Sequence, residues 1–121
     1  MTKILVAEDD TLLSSLVVKA LQAEGMDTQA AYDGVEAIER IKSWQPDIVL
    51  LDIIMPNKDG FAVLEELRAD PHTVDLRVII MSNLGDSENI EHAKKFNVVD
   101  YIVKADTTPH EIVAKIKSVL A

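Results

Sequence analysis

Carboxylates, one hydroxyl and one lysine follow the apolar runs of this sequence, at the points where buried strands would end. The polar residues at these points are Glu8, Asp9, Asp10, Asp52, Ser82, Asn83 and Lys104. Clustered carboxylates repel one another and favour a hard cation, above all Mg2+, which takes few protein ligands and often shares phosphate oxygens with them. A carboxylate can also act as a nucleophile and form an aspartyl-phosphate, while a hydroxyl and an ammonium hold the phosphoryl oxygens.

Asp52 is the most informative of these residues, because it interrupts the apolar stretch "IVLLDIIMPNKDG" at 48–60. A charge at the end of a buried run is costly unless it has partners. A cation shared with other carboxylates, together with the ammonium of Lys104, would supply such partners. We therefore predict that Asp52 is buried at a strand end because it is positioned to be modified.

The elements that must position these residues alternate along the chain. Continuous apolar runs predict strands at 3–8, 28–32, 47–52, 76–82 and 100–104, and apolar residues at helical spacing predict helices at 11–25, 33–44, 61–69, 87–97 and 108–121. Val/Ile/Leu strands that alternate with amphipathic helices indicate a parallel sheet covered on both faces. Open parallel sheets bind ligands beyond the carboxyl ends of their strands, where all of these polar residues would lie.

Local signals mark several helix ends. Asp33 with Glu36 resembles a capping box, and residues 108–111 combine an N-cap threonine, an N1 proline and an N3 glutamate. Gly25 stands where the first helix would stop, and Asn97 is expected to end the fourth helix in the left-handed conformation.

Composition excludes several classes of protein. The chain has 121 residues, which predicts one domain over 1–121, and no cysteine, which rules out disulfides, thiolate zinc sites and a cysteine nucleophile. A formal net charge of -9 repels nucleic-acid phosphates, so no direct nucleic-acid partner is expected. No signal peptide and no run of membrane-spanning length is visible, so we expect no membrane partner and a cytoplasmic location.

The pieces "ILVAEDD", "IVLLDIIMPNKDG", "VIIMS" and "DYIVK", in this order and at this spacing, resemble the receiver domain of bacterial two-component response regulators over essentially the whole length. The resemblance implies an α/β, flavodoxin-like, doubly wound parallel sheet of five strands in the order 2-1-3-4-5, with five helices. Strands one and three would then be neighbours at the switch point of the sheet.

The resemblance also implies a role for each site residue. Asp52 is the phosphoryl acceptor, Glu8, Asp9 and Asp52 hold Mg2+ with the backbone carbonyl of Ile54, Ser82 is the switch hydroxyl, Tyr101 is the switch aromatic, and Lys104 binds the phosphoryl group. The phosphodonor would be a histidine kinase or a histidine phosphotransfer protein. Phosphorylation would change the surface of helix 4, strand 5 and helix 5 and its affinity for a downstream protein, and a phosphorylation-dependent homodimer is left open.

Under this interpretation the chain is not an enzyme beyond its own phosphoryl uptake and loss. A Mg2+-dependent aspartyl-phosphate phosphatase is one alternative, but it would need a second aspartate where Ile54 stands. A non-phosphorylated scaffold of the same fold is another, although the site residues are all present. Simpler structural roles also remain for single residues: an N-cap for Asp10, solvated acids for Glu8 and Asp9, a turn cap for Ser82, a solvated lysine for Lys104 and a sheet tyrosine for Tyr101.

Three departures from the family pattern affect the site. Ala105 follows Lys104 where the family usually has proline, so the loop is either trans and reshaped or strained. Asn97 and Val98 replace the usual Gly-Ala pair before the fifth strand. Ile54 and Leu84 are apolar at two positions that often carry polar groups, which predicts a long-lived phosphoryl group because neither side chain can orient a hydrolytic water.

Overall fold

The computed structural model describes residues 2–121, and within them five strands alternate with five α-helices. In chain order the elements are β1 (Lys3–Ala7), α1 (Thr11–Ala23), β2 (Asp27–Ala31), α2 (Gly34–Trp44), β3 (Ile48–Leu51), α3 (Gly60–Ala69), β4 (Arg77–Ser82), α4 (Ser87–Lys94), β5 (Asp100–Val103) and α5 (Pro109–Leu120). A 3-10 turn, Lys104–Asp106, lies between β5 and α5. The predicted alternation is confirmed, with element ends that differ from the prediction by at most three residues.

The strands form a single parallel sheet in the order β2-β1-β3-β4-β5. This is the predicted flavodoxin-like topology, and it makes β1 and β3 neighbours at the centre of the sheet. Because alternate strand residues point to opposite faces, the core divides into two layers. Leu5 and Val49 face the layer formed by α2, α3 and α4, whereas Ile4 and Ile48 face the layer formed by α1 and α5.

The predicted helix ends are formed by the expected residues. Thr108 and Glu111 make a complete capping box at the start of α5. Gly25 and Asn97 adopt positive φ angles of 82° and 55° after α1 and α4, so each chain reversal uses a residue that tolerates the left-handed region. The capping of α2 differs in one detail, because the Glu36 carboxylate accepts from the backbone N–H of Tyr32 instead of that of the N-cap residue.

Arg68, at the end of α3, fastens two loops at the amino-terminal end of the sheet. Its Nε donates to the carbonyl of Phe96 at 2.7 Å, and its Nη1 donates to the carbonyls of Leu76 at 2.8 Å and Val74 at 3.0 Å. The Leu76 and Phe96 carbonyls lie just before β4 and in the turn between α4 and β5. A single guanidinium therefore fixes the carboxyl-terminal end of α4 to the chain that enters β4.

None of the helices within residues 2–121 has the length and apolar character that crossing a membrane requires.

Candidate functional site

The carboxyl ends of β1 and β3 bring three acidic side chains together. Glu8 and Asp9 follow β1, Asp52 follows β3, and one oxygen from each lies within 4.8 Å of the others. Glu8 is fully buried and Asp52 is 3% exposed, whereas Asp9 is exposed. The adjacent strand ends thus hold two carboxylates away from water and a third at the edge, as the sequence pattern predicts.

Lys104 faces this acidic group from the end of β5. Its ammonium contacts the Glu8 carboxylate and lies 2.8 Å from Asp52 Oδ2, and its side chain is only 14% exposed. The sequence places Lys104 in the fifth strand, but β5 ends at Val103 and Lys104 begins the 3-10 turn. Within residues 2–121 there is no cis peptide bond, so the bond to Ala105 is trans and the turn itself directs the ammonium toward the carboxylates.

The charges of this group are unbalanced, because three carboxylates face one ammonium. Burial raises the pKa of Glu8 from 4.5 to about 7, an effect that Lys104 partly opposes and the neighbouring Asp52 reinforces. Burial alone would lower the pKa of Lys104, but its hydrogen bonds to Asp52 and Glu8 raise it. The pocket therefore holds a charged lysine and an excess of carboxylate oxygen.

This donor set fits a hard divalent cation. Carboxylate oxygens are the ligands that Mg2+ prefers, and Mg2+ keeps several waters, which suits a group with one exposed member, Asp9. Ile54, the proposed carbonyl ligand, lies in the loop after β3, and its N–H donates to Asp52 Oδ1 at 3.3 Å. Its side chain is 59% exposed. A bound cation would supply the positive charge that Lys104 alone does not.

Ser82 and Tyr101 meet next to the pocket through the backbone of Leu84. Ser82 is fully buried at the end of β4, and its Oγ accepts from the Leu84 N–H at 3.1 Å. The Tyr101 hydroxyl donates to the Leu84 carbonyl. Burial raises the pKa of Tyr101, the nearby Ser82 hydroxyl opposes this rise, and the charges of Asp86 and Asp52 add to it. One residue of the β4–α4 loop thus joins the two predicted switch side chains.

Two other residues at the strand ends have different surroundings. Asp10 is the N-cap of α1, where its Oδ1 accepts from the N–H groups of Leu12 and Leu13, each at 3.1 Å. The structure thus supports the capping role for Asp10 over a direct role in the pocket. The Asn83 side chain is exposed.

The loop between β3 and α3 contains a contact that the sequence does not predict. Asn57, with φ of 67°, donates from Nδ2 to Asp33 Oδ2 at 2.8 Å, 24 residues away. The loop backbone is pressed against the start of α2, since a Cβ on Gly34 would lie 2.0 Å from the Lys58 carbonyl oxygen. The Asn-Lys-Asp-Gly segment signals a turn, but nothing in it identifies Asp33 as its partner.

Gly60 has a related role at the other end of this loop. A Cβ there would lie 2.4 Å from the Asp52 carbonyl oxygen, so glycine is required for space at the start of α3. The Gly60 N–H donates to the Ile53 carbonyl at 2.7 Å and closes the base of the loop.

A doubly wound α/β sheet with three carboxylates at the ends of its strands β1 and β3, and a lysine reaching them from the end of β5, defines a class of protein with a site at this edge whose donors fit a divalent cation. The chain belongs to the response regulator receiver domain family, whose sequence profile matches residues 4–117.

Individual relatives agree with this assignment. The DNA-binding dual master transcriptional regulator RpaA of Synechocystis is 32% identical over 120 residues, which cover 99% of this chain and 49% of RpaA. The chain therefore spans about half the length of the curated relatives it matches. Among solved structures, the receiver domain of Francisella response regulator 1452 is 32% identical with a TM-score of 0.87, covering 98% of this chain and 95% of that one. The phosphorylated cyanobacterial phytochrome response regulator RcpA is 27% identical with a TM-score of 0.82, covering 98% and 90%.

Proposed function

We propose that this receiver domain is a phosphorylation-dependent switch in which Asp52 accepts a phosphoryl group with the help of Mg2+. The observation that carries the proposal is the pocket itself, where a buried Asp52 lies 2.8 Å from the Lys104 ammonium and shares an acidic cluster with Glu8 and Asp9. The similar regulator RcpA has a structure in its phosphorylated form. The donor in the proposal is a histidine kinase or a histidine phosphotransfer protein.

The chain's own residues divide the work of phosphoryl uptake. An Asp52 carboxylate oxygen forms a bond to phosphorus while the bond from phosphorus to the donor nitrogen breaks, and the electron pair of that bond stays on the imidazole. The Lys104 ammonium holds a phosphoryl oxygen, and Glu8 and Asp9 hold the cation. When bound, Mg2+ neutralises charge on the phosphoryl oxygens. Apart from the Asp52 nucleophile, the chain contributes only positioning and charge neutralisation. The domain therefore receives the phosphoryl group itself and catalyses nothing beyond its own phosphoryl uptake and loss.

The signal leaves the pocket through Ser82, Leu84 and Tyr101. A phosphoryl oxygen on Asp52 would accept a hydrogen bond from the Ser82 hydroxyl, and movement of Oγ toward it would stretch the contact that Oγ now accepts from the Leu84 N–H. The Leu84 carbonyl accepts from the Tyr101 hydroxyl, so a shift of the β4–α4 loop would act directly on Tyr101 in β5. The α4–β5–α5 surface then changes its affinity for a downstream protein, or for a second copy of the domain, as a shift between two populations.

The place of the domain in the cell belongs to the same proposal. The relative RpaA is a DNA-binding regulator about twice as long as this chain. We infer that this receiver domain lies in the cytoplasm and controls an output that another domain or protein carries out.

Labelling with acetyl phosphate and Mg2+ tests the acceptor. Asp52→Asn preserves shape and removes the nucleophile, so it is expected to take up no stable phosphoryl group, as read by intact mass. Asp59→Asn is the matched control, since Asp59 lies in the same loop but caps α3. It is expected to label like the wild type. Wild-type labelling efficiency in Asp52→Asn would overturn the assignment, and turnover of phosphomonoesters would favour a phosphatase instead.

The cation is tested by the exposed member of the acidic group. Asp9→Ala removes one of three carboxylates from the cluster without opening the buried part of the pocket. We expect millimolar Mg2+ to raise the melting temperature of the wild type and to leave that of Asp9→Ala nearly unchanged. A wild-type melting curve indifferent to Mg2+ would contradict the cation site.

A further inference from the structure

The β3–α3 loop, residues 53–59, is held by contacts at its base, in the core and at its tip. At its base, the Gly60 N–H donates a hydrogen bond to the Ile53 carbonyl. Ile53 and Met55 are buried in the core at 3% and 7% exposure, while Ile54 between them points outward at 59%. The tip is held from outside, by Asp33 at the start of α2. The base and the core anchors fix residues 53 and 55. Beyond them the Lys58 N–H donates to the Pro56 carbonyl at 2.7 Å and the Lys58 ammonium contacts Glu66 at 2.8 Å, while the contact with Asp33 ties the tip to α2.

Asp33 is well suited to hold the tip because it is itself fixed. Its Oδ1 accepts from the Glu36 N–H at 2.7 Å as the N-cap of α2, which leaves Oδ2 for Asn57. Hydrogen bonds from the Glu36 backbone and from the Asn57 side chain lower the pKa of Asp33, so it is a carboxylate at neutral pH. Asn57 at φ of 67° is a residue type that adopts the left-handed region at small cost.

The same loop touches the reactive carboxylate. The Ile54 N–H donates to Asp52 Oδ1, and a Cβ at Gly60 would collide with the Asp52 carbonyl oxygen, so the loop fits against Asp52 at both of its ends. The Ile54 N–H contact is long, at 3.3 Å, and a small displacement of the loop would lose it. A movement of the tip would be passed along the backbone to this contact, so the tip adds to the core anchors and to Lys104 in holding Asp52 and the Ile54 peptide group.

We propose that Asn57 and Asp33 are positioning residues, which hold the β3–α3 loop in the shape that binds the divalent cation and presents Asp52. The inference rests on the proposed function, because it concerns the cation affinity of the same pocket. Asn57 and Asp33 do not touch the cation. They act through the backbone of Ile54 and through Asp52. Groups hydrogen-bonded directly to a metal ligand contribute roughly 10- to 100-fold to affinity or activity, and for this pair, one contact further out, we expect the lower end of that range.

The first test is Asn57→Gly, because glycine keeps the left-handed backbone and removes only the amide. Titration calorimetry with Mg2+ is expected to give a dissociation constant roughly tenfold higher than the wild type. Asn89→Ala is the matched control. Asn89 Nδ2 donates to Oδ1 of Asp86, the N-cap aspartate of α4, at 2.7 Å, so the variant removes the same kind of contact from a different helix. It is expected to leave Mg2+ affinity unchanged. Melting temperatures without a divalent cation report any general loss of stability in either variant.

The second test exchanges the two partners. Asn57→Asp places two carboxylates against each other and is expected to weaken labelling by acetyl phosphate. Adding Asp33→Asn to this variant restores a pair of one amide and one carboxylate and the net charge of the wild type. The asparagine introduced at position 33 can still cap α2, so Mg2+ affinity and labelling should both recover. Equal Mg2+ affinity in the wild type and Asn57→Gly, or no recovery in the exchanged pair, would overturn the inference and leave the proposed function standing. A wild type that binds no Mg2+ would overturn both.

Discussion

Glu8 makes the stability of the cation-free protein depend on pH in an unusual direction. Its carboxyl is fully buried, and its pKa is raised from 4.5 to about 7, first by burial. Between these two values the folded protein holds a proton that the unfolded chain has already released. The unfolded state therefore binds fewer protons, and the free energy of unfolding falls as the pH rises through this window.

The size of the effect follows from the same pKa values. A change from 4.5 to about 7 corresponds to roughly 3 kcal/mol of stability, present below pH 4.5 and lost by about pH 7. The other groups with shifted pKa values lie outside the window. The pKa of Asp33 and that of Asp86 are lowered from 3.8, so their contribution is lost only at more acidic pH. The stability that comes from the raised pKa of Lys104 is present throughout this window and is lost only above pH 10.5.

Urea unfolding at about pH 5 and about pH 8, with a chelator present, measures this loss directly. Glu8→Gln has nearly the same shape and no charge, so its stability should be almost the same at both pH values. Glu39→Gln, at an exposed position of α2, is the control and should keep the wild-type dependence. Saturating Mg2+ should reduce this loss of stability in the wild type, because carboxylates bind the cation in their deprotonated form. A wild-type free energy that is constant or rises from pH 5 to pH 8 would refute this account of Glu8.

Three further predictions concern residues around the pocket and the loops. Arg68→Met should cost about 3 kcal/mol, or about 10 °C in melting temperature, because several backbone carbonyls lose a charged donor. Arg77→Met, which loses one long contact with α5, should change little, and equal losses would refute the role of Arg68. The double variant Ile54→Asn with Leu84→Glu should lose its phosphoryl group faster than the wild type in single-turnover decay at saturating Mg2+, since polar side chains can orient a water. An unchanged rate would mean that these two side chains do not set the lifetime. Tyr101→Ala should still be labelled by acetyl phosphate but should lose the phosphorylation-dependent change in hydrogen exchange of α4, and a retained change would exclude Tyr101 from the switch.

The sequence predicts most of the fold because its signals are local and mutually consistent. Buried Val/Ile/Leu runs, helical spacing and the caps at Thr108, Gly25 and Asn97 each depend on a few neighbouring residues. The convergence of Glu8 and Asp52 also follows, because parallel strands bring their carboxyl ends to one edge.

The contacts that the sequence misses join residues that are separated along the chain. The carbonyls that Arg68 reaches have no side-chain signature, and the pairing of Asn57 with Asp33 spans 24 residues. The turn that begins at Lys104 replaces the last residue of a predicted strand, because the side chain must bend back toward the carboxylates of β1 and β3.

Release of the contacts that Leu84 makes with Ser82 and Tyr101 would leave α4 held at one end only, and the helix would then move as a lever. Arg68 holds the chain just beyond its carboxyl terminus, whereas its amino terminus follows the loop that contains Leu84. Ala93, near the fastened end, is the only residue of α4 that is fully buried, so little core packing resists rotation of the rest. A displacement of the loop would swing the helix about its carboxyl-terminal end, and the movement would be greatest at its amino terminus, about 12 Å away for eight residues at 1.5 Å each. Residues near Ser87 would then travel farthest, and those near Lys94 would serve as a nearly stationary reference.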